Sequence, residues 1–267
     1  MNLSRVLSYF PIPMLIILAI LFVLLWFLPD VAAWLERRPD EAWARVRGSG
    51  VIVFATDASY PPFEGLGGDG VLYGLDVDVA CEIAKRIGVM AEFRNVGMDG
   101  LYDVLQAGQA EVSISALPID PARAGRWKYS HPYFDAGLTL ITLEGSHLDS
   151  EQALPGHTVA VVLGSEGDAW LRQAQRRAPG IVAARFDSAR EASDAVGQGR
   201  AEAAILDGVT ARQLAARVAA QLTSEPYVVA VWGDSVDLLA AIDRALAEME
   251  ADGTLQRIID EWMDREA

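Results

Sequence analysis

One cysteine, Cys81, stands in the whole chain, so no intrachain disulfide and no cysteine-based metal site can be built. It sits in a helical pattern with Ala80, Ile83, Ala84 and Ile87, which predicts a buried structural thiol. No cysteine follows the N-terminal apolar segment, which argues against a lipid-modified cysteine there. Lysine is nearly missing, with Lys85 and Lys128 its only two examples. Basic charge is scarce in general: 22 Lys and Arg face 37 Asp and Glu, for a formal net charge of -15. Nucleic-acid binding needs a basic face, and none is visible. The three histidines, His131, His147 and His157, lack metal-ligand spacing. No phosphate-binding glycine motif occurs; Gly65, Gly67, Gly68 and Gly70 read as a hairpin-like turn. No order of Ser, His and Asp suggests a triad. Catalytic residues, metal and cofactor are therefore all assigned as none.

What is present is ample for a real core. The 267 residues are 52% hydrophobic and suit one or two domains. Residues 6–29 form an apolar segment whose centre, Ile12 to Leu28, carries no charge. Its length matches the roughly 20 residues that cross a bilayer, and Tyr9, Phe10, Trp26 and Trp34 sit near its ends as interfacial aromatics do. The segment predicts a single transmembrane anchor. A signal peptide cut near Val31-Ala32-Ala33 is the alternative, against which the long apolar core speaks. Residues 30–47 read as a short helical spacer, with the folded domain beginning near Gly48. Arg5 precedes the apolar segment, while Arg37, Arg38, Arg45 and Arg47 follow it; counted alone, these would put the domain in the cytoplasm.

From Val51 onward, strands and helices alternate. Strands are expected at 51–55, 89–93, 112–115 and 138–143, with helices at 77–87, 100–107 and after Asp120-Pro121. The pattern restarts with strands at 158–163, 181–186, 203–206 and 227–231. Helices are expected at 164–177, from Ser188 to Gly197, at 209–220, 235–251 and 254–264. The fold class is α/β: two lobes of mostly parallel sheet, crossed twice near 138–143 and 227–231. Lobe one takes residues 48–139 plus 229–267, and lobe two takes 142–226. A cleft between two such lobes is the usual seat of a small ligand.

Several polar groups follow the strand ends. Asp57 and Tyr60 come after the first, held on a loop by Pro61-Pro62. Ser115, Ala116, Pro118 and Arg123 follow the third, Ser165 and Glu166 open a helix in lobe two, and Asp207 ends a later strand. The set suits a zwitterion. Arg123 offers a fork of donors to a carboxylate, the Ser165 helix start offers free N–H groups, and Asp207 accepts from an ammonium. A surface charge at Arg123 and a helix cap at Asp207 are the plainer alternatives.

From Gly50 to Met263 the sequence resembles the family-3 extracellular solute-binding proteins, the polar amino-acid receptors of ABC importers. The matching stretches are Thr56–Glu64 (TDASYPPFE), Gly74–Asp78 (GLDVD), Met98–Leu101 (MDGL), Ile119–Arg123 (IDPAR), Tyr129–Phe134 (YSHPYF) and Ala251–Leu255 (ADGTL). The resemblance implies a bilobed type II periplasmic-binding fold that closes on its ligand outside the cytoplasmic membrane. It implies Arg123 on the α-carboxylate, Asp207 on the α-ammonium, Tyr60 stacked on the side chain, Asp57 at its polar end and Ser165 assisting from lobe two. It also implies ABC permease subunits as partners.

Departures from the family pattern bear on the ligand. Met98 stands where an aromatic is usual, Pro118 where Ser or Thr would donate, Ala116 for a frequent Ser or Gly, Glu166 for a frequent Thr, and His131 where Asp is common. With Asp57, Glu64 and Glu166 near the cleft, a cationic or amide-bearing ligand is expected over an acidic one. The expected function is binding without catalysis. The alternatives are a dehydratase of cyclohexadienyl acids on the same fold, with Glu166 as its acid or base, and a sensing subunit that signals through a partner.

Overall fold

The computed structural model describes residues 40–263, and the apolar 6–29 segment lies outside them. The first element is the helix Glu41–Ser49 (α1). Its N-cap, Asp40, accepts from the Trp43 amide with one carboxylate oxygen and from the Asp237 and Leu238 amides with the other. One side chain thus caps two helix starts. Ala42 and Val46 are buried, so this stretch packs into lobe one although the sequence reads it as spacer up to residue 47.

Val51–Thr56 (β1) is an interior strand of the first sheet. A small antiparallel ribbon follows: Ser59–Tyr60 (β2), Glu64–Leu66 (β3) and Leu72–Tyr73 (β4), joined by the expected glycine turn. Gly74 then starts the helix Leu75–Ile87 (α2) at φ 136°, where a side chain would collide with the Phe63 carbonyl. Met90–Asn95 (β5), the helix Leu101–Gln106 (α3) and Val112–Ser113 (β6) complete the first unit. The helix expected after Asp120 is absent. Asp120 instead caps the Ala122 amide, two consecutive turns follow, and Trp127–Tyr129 (β7) is drawn into the sheet edge. The antiparallel pairing of residues 127–129 with Ala230–Trp232 takes the chain out of helical geometry there.

The chain crosses at Phe134–Asp135 (β8) into lobe two. That lobe holds Leu138–Thr142 (β9), Thr158–Val162 (β10), the helix Glu166–Arg177 (α4) and Val182–Phe186 (β11). Next come the helix Ala189–Gly197 (α5), Ala203–Asp207 (β12), the short helix Gly208–Gln213 (α6) and Val218–Gln221 (β13). The helix expected to run to 220 stops early. Ala215 adopts φ 49°, and the next residues pair with the free edge of β9. Tertiary pairing overrides an alanine-rich helical propensity there.

The chain returns through Pro226–Tyr227 (β14), which pairs antiparallel with β8. Ala230–Trp232 (β15) then enters the first sheet, and two helices, Val236–Ala251 (α7) and Thr254–Met263 (α8), pack on lobe one. The sheet orders are β5-β1-β6-β15-β7 and β11-β10-β12-β9-β13. The crossing strands are therefore β8 and β14: the expected crossing at 138–143 lies within lobe two, and the expected crossing at 227–231 begins in β14 at Tyr227 and runs on into β15 of lobe one. Cys81, expected to be buried, lies exposed on α2. Its helix turns Ile83 and Ala84 inward instead.

Candidate functional site

The loop after β1 is tied down by hydrogen bonds. The Asp57 amide donates to the Ser115 hydroxyl at 3.0 Å, and the Asp57 carboxylate accepts from the Met98 amide at 2.9 Å. This joins three sequence-predicted site residues from three separate segments. Met98 and Tyr60 are each 45% exposed, so both present apolar surface to solvent. Tyr60 stacks one face on Phe63 at 5.6 Å, and its hydroxyl lies near that of Tyr227 on β14. Phe63 in turn meets Phe134 and Tyr227 edge-on, so an aromatic cluster ties the loop to both crossing strands.

Beneath this loop lies a buried acid pair. Glu64 and Asp76 are both fully buried. The Ser115 hydroxyl donates to Glu64 at 2.7 Å, and the Ala116 amide donates to Asp76 at 2.6 Å, with Ala116 at φ 43°. Burial first, and then the neighbouring Asp76, push the Glu64 carboxyl up to about 10. Burial likewise lifts Asp76 to about 6, against its hydrogen bonds from Glu64, Ala116 and Tyr133. Glu64 is thus no cleft anion, contrary to the sequence expectation. Ser115 and Ala116 spend their polar groups on the pair, and Pro118 meets Tyr227 through backbone pairing.

Arg123 stands apart from these residues. Its Nε donates to Asp120 at 2.9 Å, its guanidinium lies 4.3 Å over the Tyr102 ring, and its side chain is 47% exposed. A stacked, singly paired guanidinium of this kind can still receive a carboxylate.

Lobe two supplies capped strand ends. Ser165 caps α4 by accepting from the Asp168 amide, and Asp207 caps α6 by accepting from the Thr210 amide at 2.8 Å. Glu166 and Asp207 are exposed. Glu225, just before β14, was not singled out from sequence. Partial burial and then Glu166, Asp135 and Asp207 raise its pKa, so Glu225 feels three other carboxylates. Asp135 is the tie between the crossing strands. It accepts from the Gly137 and Glu225 amides at 2.9 Å and from the Ser224 hydroxyl at 2.7 Å. Burial raises its pKa, but these donors outweigh burial and leave it below the usual range. The signal for Glu225 was its place next to a crossing strand, which the sequence alone put too late.

Asp57, Met98, Ser115 and Tyr60 are therefore linked through lobe one, and Glu166 and Asp207 through Glu225. Burial, and then Tyr60, Glu225 and Asp207, push the Tyr227 phenol up. No group of three or more metal-ligating side chains occurs among the described residues.

Residues 52–265 match the family model described as bacterial extracellular solute-binding proteins, family 3. The L-cystine-binding protein TcyJ of Escherichia coli strain K12 is 30% identical over 227 residues, covering 82% of this chain and 84% of that protein. The ABC transporter arginine-binding protein 1 of the same strain is 26% identical over 222 residues, covering 79% and 90%. Among solved structures, the unliganded open L-cystine solute receptor of Neisseria gonorrhoeae superimposes with a TM-score of 0.71 at 23% identity, covering 83% of this chain and 96% of that one.

Proposed function

The chain belongs to the bacterial extracellular solute-binding proteins of family 3, and from that premise we propose that it captures an amino acid by closing its lobes and passes it to an ABC permease. The residues at the strand ends support the reading: Arg123 for a carboxylate, Asp207 for an ammonium, Tyr60 and Met98 for the side chain, and Asp57 for its polar end. The single observation that carries it is the placement of these polar groups on strand ends of both lobes, which the antiparallel crossing strands β8 and β14 join. Closing the lobes brings both sets onto one small solute.

Charge narrows the solute. Asp57, Glu166, Asp207 and Glu225 are all acidic, so a cationic or amide-bearing ligand is favoured over an acidic one. A thermal-shift screen of the common amino acids, cystine, ornithine and polyamines, followed by calorimetry, tests this. A ligand at 100 times its dissociation constant stabilises by about 2.7 kcal/mol. Tight glutamate binding refutes the charge reading, and silence from every amino acid refutes the function. We further propose that residues 6–29 tether the domain on the outer face of the cytoplasmic membrane. Protease added to spheroplasts should digest the domain; full protection refutes that placement.

A further inference from the structure

Four oxygens in the interior of lobe one have no conventional partner: Thr56 Oγ1, Glu64 Oε2, Asp76 Oδ1 and Tyr133 Oη. Three of them belong to the acid pair and its tyrosine. Glu64 and Asp76 lie within reach of each other, and the Tyr133 hydroxyl lies beside Asp76. Two ionised carboxylates are acceptors only, so a bond between them requires a proton. Buried like charges at this range cannot both persist. We propose that Glu64 and Asp76 share one proton, and that this proton positions the ligand-contacting segments at Asp57 and Ser115–Ala116.

The hydrogen-bond directions say where the proton sits. Asp76 lies in the first turn of α2, where the helix end favours an anion, and it receives the Ala116 amide, with the Tyr133 hydroxyl close by. Glu64 receives only the Ser115 hydroxyl. The proton therefore resides on Glu64 Oε2 and points to Asp76 Oδ1, which satisfies both unpartnered carboxyl oxygens. From there two chains reach the cleft. Glu64 holds the Ser115 hydroxyl, which holds the Asp57 amide, and Asp57 holds Met98. Asp76 holds the Ala116 amide at its left-handed φ. The groups acting on the pair are Asp57 at the end of β1, Tyr133 before β8, and the donors of Ser115 and Ala116; no cation acts on it among the described residues. Glu64 and Asp76 are thus positioning residues, and they contact no ligand.

The test needs no ligand, so it stands apart from the functional reading. Infrared spectra of the full chain at about pH 8, where ordinary carboxyls are ionised, should show the C=O stretch of a protonated carboxyl. Glu64→Gln should lose that band. In amide-resolved NMR the Ala116 resonance should hold steady above neutral pH and move as pH falls through about 6. Tyr133→Phe removes the nearby hydroxyl that lowers the Asp76 pKa and should shift that midpoint to higher pH. An absent band in the wild type, or a band that survives in Glu64→Gln, overturns the shared proton. An Ala116 resonance that does not titrate, or a midpoint unmoved in Tyr133→Phe, overturns the positioning. Should Glu64→Gln fail to fold, the wild-type and Tyr133→Phe arms still decide.

Discussion

Replacing Glu64 by glutamine should make this protein more stable, and increasingly so as pH rises. An ordinary glutamate near 4.5 becomes an acid near 10 once buried beside Asp76. Its folded pKa is raised, so its full contribution is present below about pH 4.5 and is lost as pH climbs toward the folded value. Across that window the folded state holds one proton more than the unfolded chain. Stability then falls by about 1.4 kcal/mol per pH unit on this account alone, or about 2.7 kcal/mol from pH 7 to 9. A domain of this size has only about 5–15 kcal/mol in total. Glutamine does not titrate, can donate its amide to Asp76, and can accept from Ser115. The difference between variant and wild type should therefore widen by about 1.4 kcal/mol per unit. Urea denaturation at several pH values between about 7 and 9 measures it, and every other titrating group cancels in the difference. Parallel stability curves would refute the buried acid; a gap that shrinks with pH would reverse its sign.

Arg123→Lys removes the planar fork and the stacking on Tyr102, and should weaken carboxylate-bearing ligands by about tenfold or more in calorimetry with little change in melting temperature. Asp135→Ala removes the acceptor of four donors at the crossing strands, the Gly137 and Glu225 amides, the Ser224 hydroxyl and the Gln221 side chain. It should cost about 2 kcal/mol and speed hydrogen exchange at the Gly137 and Glu225 amides. Because the Asp135 pKa is depressed, its contribution is present above its ordinary pKa and is lost as pH falls below it, so wild type and variant should converge in acid. Asp207→Asn keeps a capping oxygen and removes a charge. It should lose ammonium-bearing ligands while folding stability changes by less than about 0.5 kcal/mol; Asp207→Ala should lose both, by about 1 kcal/mol in stability.

Most of the strand and helix pattern was legible because it follows hydrophobic period and end signals. Ser188 and Glu191 announced α5, and the Ser188 side chain does cap the Glu191 amide. Gly88 announced the end of α2 and takes the left-handed conformation there. The misses share a cause. The early stop of α6, the missing helix after Asp120 and the crossing at β8 rather than β9 are all decided by which sheet edge stands open, and no local pattern records that. Cys81 and Glu64 were misjudged in opposite directions for a related reason. Periodicity fixes which face of α2 turns inward only to within a residue, while β3 is too short to show alternation at all. Glu225 carried no helix or strand signal and became visible only through its neighbours.

The two lobes hold their polar groups in different ways, and the difference follows from topology. In lobe two, Ser165 and Asp207 sit between a strand end and a helix start, so each is a cap before it is anything else. A cap uses one oxygen and fixes the side chain, while a carboxylate such as Asp207 keeps a second oxygen for another donor. The helix start therefore orients the proposed ligand contact at no further cost in side-chain freedom. Lobe one lacks that device at Ser115 and Ala116, because β6 ends in a turn and not in a helix. Something else must fix those backbone groups, and the buried Glu64–Asp76 pair does so from below. A buried acid pair is expensive where helix capping would be cheap. Its presence is understandable only if the geometry after β6 matters, which is why the pair belongs to the account of binding as well as to that of stability.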